Sequence, residues 1–150
     1  MSRLKQQLYQ QCLDYVQNRM QAAEQGIKEA HQAAQDDTKS SAGDKYETGR
    51  EMMQQETDRN MAQLNEANKL KVTLNQINAS AVATTADNGS VVITNNGNFY
   101  IAISAGILQV DKQSFFAISL VSPIGIKMKG LKAGDSFELN GKSYLISGIE

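Results

Sequence analysis

Residue types on which many enzymes depend are scarce in this chain. Its 150 residues include one Cys, one His, one Pro and no Trp. A single cysteine, Cys12, excludes an intrachain disulfide, and Cys12 with His31 is too small a set for a Cys/His metal cluster or a convincing Cys-His nucleophile. We therefore expect neither an enzyme with a complete catalytic centre of its own nor a tightly bound cofactor.

Excess charge and long apolar runs are also missing. Fifteen basic and 16 acidic residues give a formal net charge of −1, so nothing attracts the whole chain to nucleic acid or to an anionic membrane. Apolar runs last only a few residues, whereas about 20 are needed to span a bilayer. The first residues, MSRLKQQLYQQCLDYV, lack the apolar block of a signal peptide. We expect a cytoplasmic protein that inserts into no membrane.

The composition changes near residue 80. Residues 1–80 hold three of the 11 Gly and three of the nine aromatic residues, whereas residues 81–150 hold the rest and the only Pro. This division predicts two domains, one covering 1–80 and one covering 81–150. Basic and acidic residues are balanced in both, so neither is a charged tail.

The first part has the apolar spacing of two helices. Apolar residues recur at steps of three or four, with a weaker stretch around Glu56 and Asn60 in the second arm, which predicts arms at about 3–36 and 44–78 with the turn-forming stretch DDTKSSAGD between them. Equal lengths and a short connection favour an antiparallel coiled-coil hairpin. The stripes are Leu4, Leu8, Cys12, Val16, Met20, Ala23, Ile27, Ala30 and Ala34 in the first arm, and Met53, Met61, Leu64, Ala67, Leu70, Leu74 and Ile77 in the second. Cys12 and the methionines Met52, Met53 and Met61 are interpreted as hairpin core.

Acidic residues lie on both sides of the predicted turn, and some of them are unfavourable for the helix that ends there. Asp44 followed by Glu47 matches a capping box for the second arm, with Ser41 as a rival cap. Asp36 and Asp37, however, fall at the end of the first arm, where the helix dipole already carries partial negative charge. Such a violation marks either a functional site or a solvated turn whose acids only maintain solubility.

The second part has the alternation and turns of strands. Asn95-Asn96-Gly97 and Asn140-Gly141 predict hairpin turns. In NFYIAIS, the alternation places Phe99, Ile101 and Ile103 on one face, where they can line a core, and Tyr100 and Ala102 on the other. Candidate inward positions in the last hairpin are Phe137, Leu139, Tyr144 and Ile146. About five strands around a short helical segment make an α+β fold for the chain as a whole.

The last 40 residues resemble a known family. The stretch from Lys112 to the end contains Ser122-Pro123-Ile124-Gly125, then Gly130, then Gly134-Asp135, and then Tyr144 in a closing hairpin. This order and spacing are similar to the C-terminal domain of the GreA/GreB transcription elongation (transcript-cleavage) factors. A helical hairpin before a small β-rich domain is also the domain order of that family. The resemblance implies an FKBP-like fold, without isomerase activity, for residues 81–150.

The resemblance also implies a partner and a mechanism. Members of the family bind RNA polymerase, with the C-terminal domain at the mouth of the secondary channel and the hairpin inside it. Two carboxylates at the hairpin tip help to hold a Mg²⁺ shared with the active site of the polymerase. The factor lends ligands and is not itself an enzyme. The implied partner-binding residues are Tyr46, Arg50, Ser122, Pro123, Ile124, Gly125, Lys127 and Lys129.

The hairpin tip departs from the family pattern. DKYETGRE places Tyr46, Arg50 and Glu51 in register with the family, and the two acid positions then fall on Lys39 and Ala42. The remaining candidates for catalytic acids are Asp36, Asp37, Asp44 and Glu47, of which Asp37 and Asp44 are the predicted metal pair within the polymerase complex. Three hypotheses stay open: a cleavage-active factor, a cleavage-inactive regulator that occupies the channel, and a coiled-coil scaffold. We expect a monomer, with a homodimer as the alternative that the scaffold hypothesis requires.

Lysines form the only basic cluster of the second part. They are Lys127, Lys129, Lys132 and Lys142. They are either a solvated loop or a contact surface for an acidic partner.

Overall fold

A computed structural model describes residues 3–40, 44–78 and 82–150, and the side chains of residue 34 and of residues 36–48 lie outside that description. The chain forms an α+β fold in which two long helices precede a sheet with one short helix. The elements are α1 (Arg3–Ser40), α2 (Asp44–Asn75), β1 (Val91–Thr94), β2 (Gly97–Ile101), β3 (Gly106–Val110), β4 (Gln113–Ile118), α3 (Pro123–Met128), β5 (Ser136–Leu139) and β6 (Lys142–Ile149).

The two helix boundaries at the turn differ in how well the sequence predicts them. Helix α2 begins at Asp44, as predicted, whereas α1 continues to Ser40 instead of ending near residue 36. Between Gly26 and Gly43 there is neither glycine nor proline, so no residue strongly disfavours helix through the two aspartates. Helix α2 ends at Asn75, three residues before the predicted end at 78.

Contacts along the two helices establish that they form an antiparallel hairpin. Near the start of α1, the Tyr9 hydroxyl donates to the carbonyl oxygen of Leu74, near the end of α2, at 2.9 Å. Further along, Gly26 of α1 faces the side chain of Asn60, earlier in α2. From Tyr9 to Gly26 the position on α1 moves forward, while its partner on α2 moves back from Leu74 to Asn60. The two helices are therefore antiparallel, which confirms the predicted hairpin.

The inner face of α2 is more polar than the predicted stripe. Met52 and Met61 are 59% and 50% exposed, whereas Thr57 is buried and Asn60 is half-buried. The expectation that Met52 and Met61 belong to the hairpin core was therefore wrong. Helical steps of three and four lead from Met53 through Thr57 and Asn60, so the polar pair occupies the inward positions and the methionine after it turns outward.

The sheet has six strands in the order β3-β4-β2-β1-β6-β5. Neighbours are antiparallel except β2 and β4, which are parallel with Phe99 opposite Phe116. Sequence patterns predicted about five strands, whereas the structure has six. Asp111 and Lys112 make the turn between β3 and β4 with positive φ angles of 51° and 68°, a conformation that these residue types adopt less often than Gly or Asn.

Both faces of the sheet are partly covered. On one face, Phe99 and Ile101 of β2 pack with Met128 of α3 in the main core. The inward positions predicted for the last hairpin are confirmed there, since Phe137, Tyr144 and Ile146 are buried and Leu139 packs against them. Strand β2 is nevertheless buried on both sides, because Tyr100, on the opposite face from Phe99 and Ile101, is 0% exposed. Ala102, just after the strand, is 1% exposed.

The second face of the sheet packs in one compact unit with the base of the hairpin. Residues Met1–Tyr15 and Lys71–Glu150 group together, and Val16–Leu70 form a second unit. Buried side chains in the first unit include Leu8, Cys12 and Leu74 of the helices and Tyr100 and Phe115 of the sheet. This grouping cuts across the division at residue 80, which stays a prediction about domains. Within the described ranges, no helix combines the length and apolar character needed to cross a membrane.

Candidate functional site

The motif that resembles the GreA/GreB family forms the start of α3. Ser122 has extended backbone angles (φ −69°, ψ 161°), and its Oγ accepts a hydrogen bond from the backbone N-H of Gly125 at 3.1 Å. The same hydroxyl donates to the carbonyl oxygen of Ser119 at 2.6 Å. Pro123 follows at the first helical position, where its missing N-H costs nothing. The Ser-Pro pair thus fixes where α3 begins and how the preceding loop meets it.

Gly125 is required by close packing within the same turn. A β-carbon at this position would overlap the carbonyl oxygen of Ser119 and lie 2.9 Å from the backbone of Leu120. These are backbone atoms that cannot rotate away. Ile124 packs against the main core from the same helix. Three of the predicted partner-binding residues, Ser122, Ile124 and Gly125, therefore make internal contacts that build the turn.

The outer side of α3 is apolar and basic. Val121 and Ile126 are 81% and 64% exposed, and Lys127 and Lys129 are exposed beside them in the sequence. Val121 precedes the N-cap and Ile126 is the fourth helical residue, positions that lie next to each other at a helix start. We call Val121, Pro123, Ile126, Lys127 and Lys129 the α3 surface. The motif resemblance singled out Pro123 and the two lysines but not Val121 and Ile126, which the spacing of a hydrophobic staple could have indicated.

The remaining predicted site residues belong to the hairpin. Arg50 is exposed and lines a cavity of about 260 Å³ between the two helices, together with His31 and the buried Thr57. The side chains of Asp36, Asp37, Asp44, Tyr46 and Glu47 lie outside the described residues. Among the residues whose side chains are described, no group of three or more His, Cys, Asp or Glu side chains is arranged to hold a metal ion.

Comparison with solved structures finds similar chains. One is described as the GreA factor homolog 1 (Gfh1) protein of Thermus thermophilus. It is 20% identical, with 91% of this chain and 93% of that chain covered, a probability of 1.00 and a TM-score of 0.35. A second, described as the transcription factor Gfh1, is 18% identical over 91% of this chain and 92% of its own, with the same TM-score of 0.35.

Sequence-based comparisons add nothing to this resemblance. No family model matches the chain, and no curated protein matches it.

The thiol of Cys12 is not available as a nucleophile. Cys12 is fully buried, and burial raises its pKa to about 12. Burial also raises the pKa of Tyr100, and the nearby Cys12 and Tyr9 raise it further. Both groups are therefore neutral near pH 7, which agrees with the interpretation of Cys12 as a small core residue.

Proposed function

We propose that this protein is a transcription regulator of the GreA/GreB type that binds RNA polymerase, with the α3 surface on the polymerase and the hairpin in its secondary channel. The observation that carries the proposal is the way the Ser122 to Gly125 motif is used. Its internal hydrogen bonds and close packing hold α3 in place, and the residues left over form an exposed surface. The place of action would be the cytoplasm, where the polymerase works.

The chemistry of the α3 surface suits a protein partner. Exposed apolar side chains such as Val121 and Ile126 gain free energy when a partner covers them. Lys127 and Lys129 add positive charge, which favours a partner surface with acidic side chains and increases the rate of encounter. Because the net charge of the whole chain is only −1, the attraction is local to this surface rather than a general affinity for nucleic acid.

The hairpin supplies the part that would enter a channel. Its two helices of 38 and 32 residues run antiparallel and are joined by residues 41–43. Carboxylates are the ligands that Mg²⁺ prefers, so Asp37 and Asp44 are the proposed pair that would share a metal with the polymerase. The protein would then contribute ligands, while the polymerase would carry out the hydrolysis.

Binding of the purified chain to the polymerase of its host tests the first half of the proposal. We expect binding at micromolar concentrations or tighter, and we expect Val121→Asp combined with Ile126→Asp to weaken it by about tenfold or more, the loss typical of an interface anchor. The matched control is Val82→Asp, because Val82 is 90% exposed and lies outside the α3 surface. Equal weakening by the control, or no binding by the wild type, would contradict the proposal.

The tip acids require a separate assay, the Mg²⁺-dependent shortening of RNA in stalled polymerase complexes. We expect exchange of Asp36, Asp37, Asp44 and Glu47 for Ala to abolish shortening while polymerase binding remains. If shortening is unaffected by the exchange, these carboxylates are not the metal ligands. If the wild type binds but shortens no RNA, the protein is a channel-occupying regulator without cleavage activity.

A further inference from the structure

Three Asn-Gly pairs occur in this chain, and each of them lies at a turn. The pairs are Asn88-Gly89, Asn96-Gly97 and Asn140-Gly141, and the glycine of each has a positive φ angle. Asparagine is a chemically labile residue. It is most labile before glycine, because glycine has no side chain to hinder attack by its backbone nitrogen on the neighbouring amide group. The sequence makes the three pairs alike, so a difference in their reactivity has to come from the fold.

The first pair, Asn88-Gly89, is held in place by its backbone and by packing. The N-H of Gly89 donates to the carbonyl oxygen of Ile101 at 2.6 Å, so the nitrogen that would attack is already engaged. A β-carbon at Gly89 would lie 2.9 Å from Cγ2 of Ile77. The backbone of this turn therefore has little room to rotate into the geometry that the attack requires.

The second pair, Asn96-Gly97, is held by the side chain that would react. The Nδ2 of Asn96 donates to the carbonyl oxygen of Ser143 at 2.6 Å, and the backbone N-H of Asn96 donates to Thr94 Oγ1 at 3.1 Å. A β-carbon at Gly97 would lie 3.3 Å from the ring of Phe116. Loss of the amide nitrogen from Asn96 would remove a hydrogen bond to β6, so the fold opposes the reaction here as well.

The third pair, Asn140-Gly141, lacks each of these restraints. It forms the two-residue turn between β5 and β6, directly after Leu139 and before Lys142, which lie opposite each other. Both residues of the pair are exposed, and a β-carbon at Gly141 would meet no atom within 4 Å. Within the part of the chain that the structure describes, neither the Asn140 side chain nor the Gly141 N-H makes a hydrogen bond. This turn is therefore free to rotate the nitrogen of Gly141 towards Cγ of Asn140.

We propose that Asn140 is the site at which the folded protein deamidates, with solvent water as the co-reactant. The nitrogen of Gly141 loses its proton to the solvent and attacks Cγ of Asn140, and the bond from Cγ to the amide nitrogen breaks as ammonia leaves. Water then adds to one of the two carbonyl groups of the cyclic imide and opens the ring, giving aspartate or isoaspartate. The net reaction consumes one water and releases one ammonia, without oxidation or reduction. The proposal does not depend on binding to RNA polymerase.

The two products have different effects on the closing hairpin. Aspartate leaves an Asp-Gly pair, which also suits a two-residue turn, and it adds a carboxylate two residues before Lys142. Isoaspartate carries the main chain through the side-chain carbon, which adds one methylene to the turn and displaces Leu139 from its place opposite Lys142. The register of these strands also places Phe137 opposite Tyr144, whose rings stack with centroids 4.8 Å apart in the core. Isoaspartate should therefore weaken the hairpin, whereas aspartate should not.

Incubation of the full chain in mildly alkaline buffer, once folded and once in urea, tests the proposal by peptide mapping with mass spectrometry. In the folded chain we expect Asn140 to deamidate at least about tenfold faster than Asn88 and Asn96, which react only after local opening of the structure. In urea we expect similar rates at all three positions. Deamidation of Asn88 or Asn96 as fast as that of Asn140 in the folded chain would overturn the proposal. Reaction of Asn140 in urea but not in the folded chain would also overturn it.

Two variants separate the modification from its effect on stability. Asn140→Gly keeps a pair that fits the turn but has no amide to lose, so its thermal midpoint should stay constant while that of the wild type falls by a few degrees as isoaspartate accumulates. Freshly prepared Asn140→Asp is the matched control for the added charge, and its midpoint should equal that of the fresh wild type. An equal fall in Asn140→Gly, or an unchanged midpoint in wild type that contains isoaspartate at this position, would contradict the proposed effect on the hairpin.

Discussion

Two ionisable residues, Cys12 and Tyr100, are kept in their neutral forms by the fold. Both side chains are fully buried, and burial raises the pKa of each. Removal of either proton in the folded state would place an anion in a region of low polarity, which is costly. The unfolded chain carries no such penalty, so these groups make the stability of the fold depend on pH.

The Cys12 thiol should make the free energy of unfolding fall measurably as the pH rises through the alkaline range. An unfolded cysteine has a pKa of 9.0, whereas that of Cys12 in the fold is about 12. The stability due to the neutral thiol is thus complete below pH 9 and is lost as the pH rises towards 12, by at most about 1.4 kcal/mol for each pH unit. In urea titrations at about pH 8 and about pH 10, we expect the free energy of unfolding to fall more steeply in the wild type than in Cys12→Ala. Both chains keep Tyr100, so parallel pH profiles would refute a role for the thiol.

At the scale of elements, the two long helices meet at a pair that is not apolar. Asn60 points at Gly26 on the facing helix, and its Nδ2 donates to the carbonyl oxygen of Glu56 at 2.8 Å. A polar residue inside a coiled coil commonly specifies register at some cost in stability. The sequence stripe weakens at this place, and the structure gives the reason: the glycine makes room for the amide.

Replacement of the glycine should therefore destabilise a helix that alanine normally favours. A β-carbon at Gly26 would lie 2.6 Å from Asn60 Cγ, and overpacking of this kind costs about 1–3 kcal/mol, against a gain of about 1 kcal/mol in helix propensity. We expect Gly26→Ala to lower the thermal midpoint and the double variant with Asn60→Ala to recover it. A double-mutant cycle measures the coupling, and additive effects of the two substitutions would show that the pair does not interact.

At the scale of the whole molecule, one compact unit spans the point where the composition changes. The face of the sheet that carries Tyr100 and Phe115 belongs to one compact unit with Met1–Tyr15 of the first helix and the chain from Lys71 onward. Apolar side chains on that face are removed from water only when the helix ends are present. The base of the hairpin therefore belongs to the same compact unit as the sheet.

Fragments of the chain test whether the sheet is stable without the ends of the two long helices. Residues 82–150 alone would expose Tyr100, Phe115 and their neighbours, so we expect this fragment to bind a hydrophobic dye and to unfold without a cooperative transition. The control joins residues 1–15 to 71–150 through a short Gly/Ser linker, and we expect it to unfold cooperatively. Cooperative unfolding of residues 82–150 with the midpoint of the control would show that the helix ends contribute no stability.

The candidate site was only partly predictable from the sequence. The Ser122-Pro123 pair is a local signal, because a cap and a proline at the first position act through the backbone next to them. Val121 and Ile126 have the spacing of a hydrophobic staple, but that spacing does not show that they stay exposed, since whether an apolar residue is covered depends on elements distant in sequence. The contact of Gln11 with Gln109 is of the same kind: the two residues are 98 positions apart in the sequence, and only the fold brings them together.

The sequence by itself determined the two long helices, the hairpin turns at Asn95-Asn96 and Asn140-Gly141, and the faces to which neighbouring strand residues point. Periodicity and turn chemistry act within a few residues, so they can be predicted without a fold. Only the tertiary structure decided that β2 is buried on both faces and that Thr57 rather than Met61 points into the hairpin. Burial is set by what packs against a residue: for β2 it is the start of the first helix, at the opposite end of the chain, and for Thr57 it is the facing helix of the hairpin.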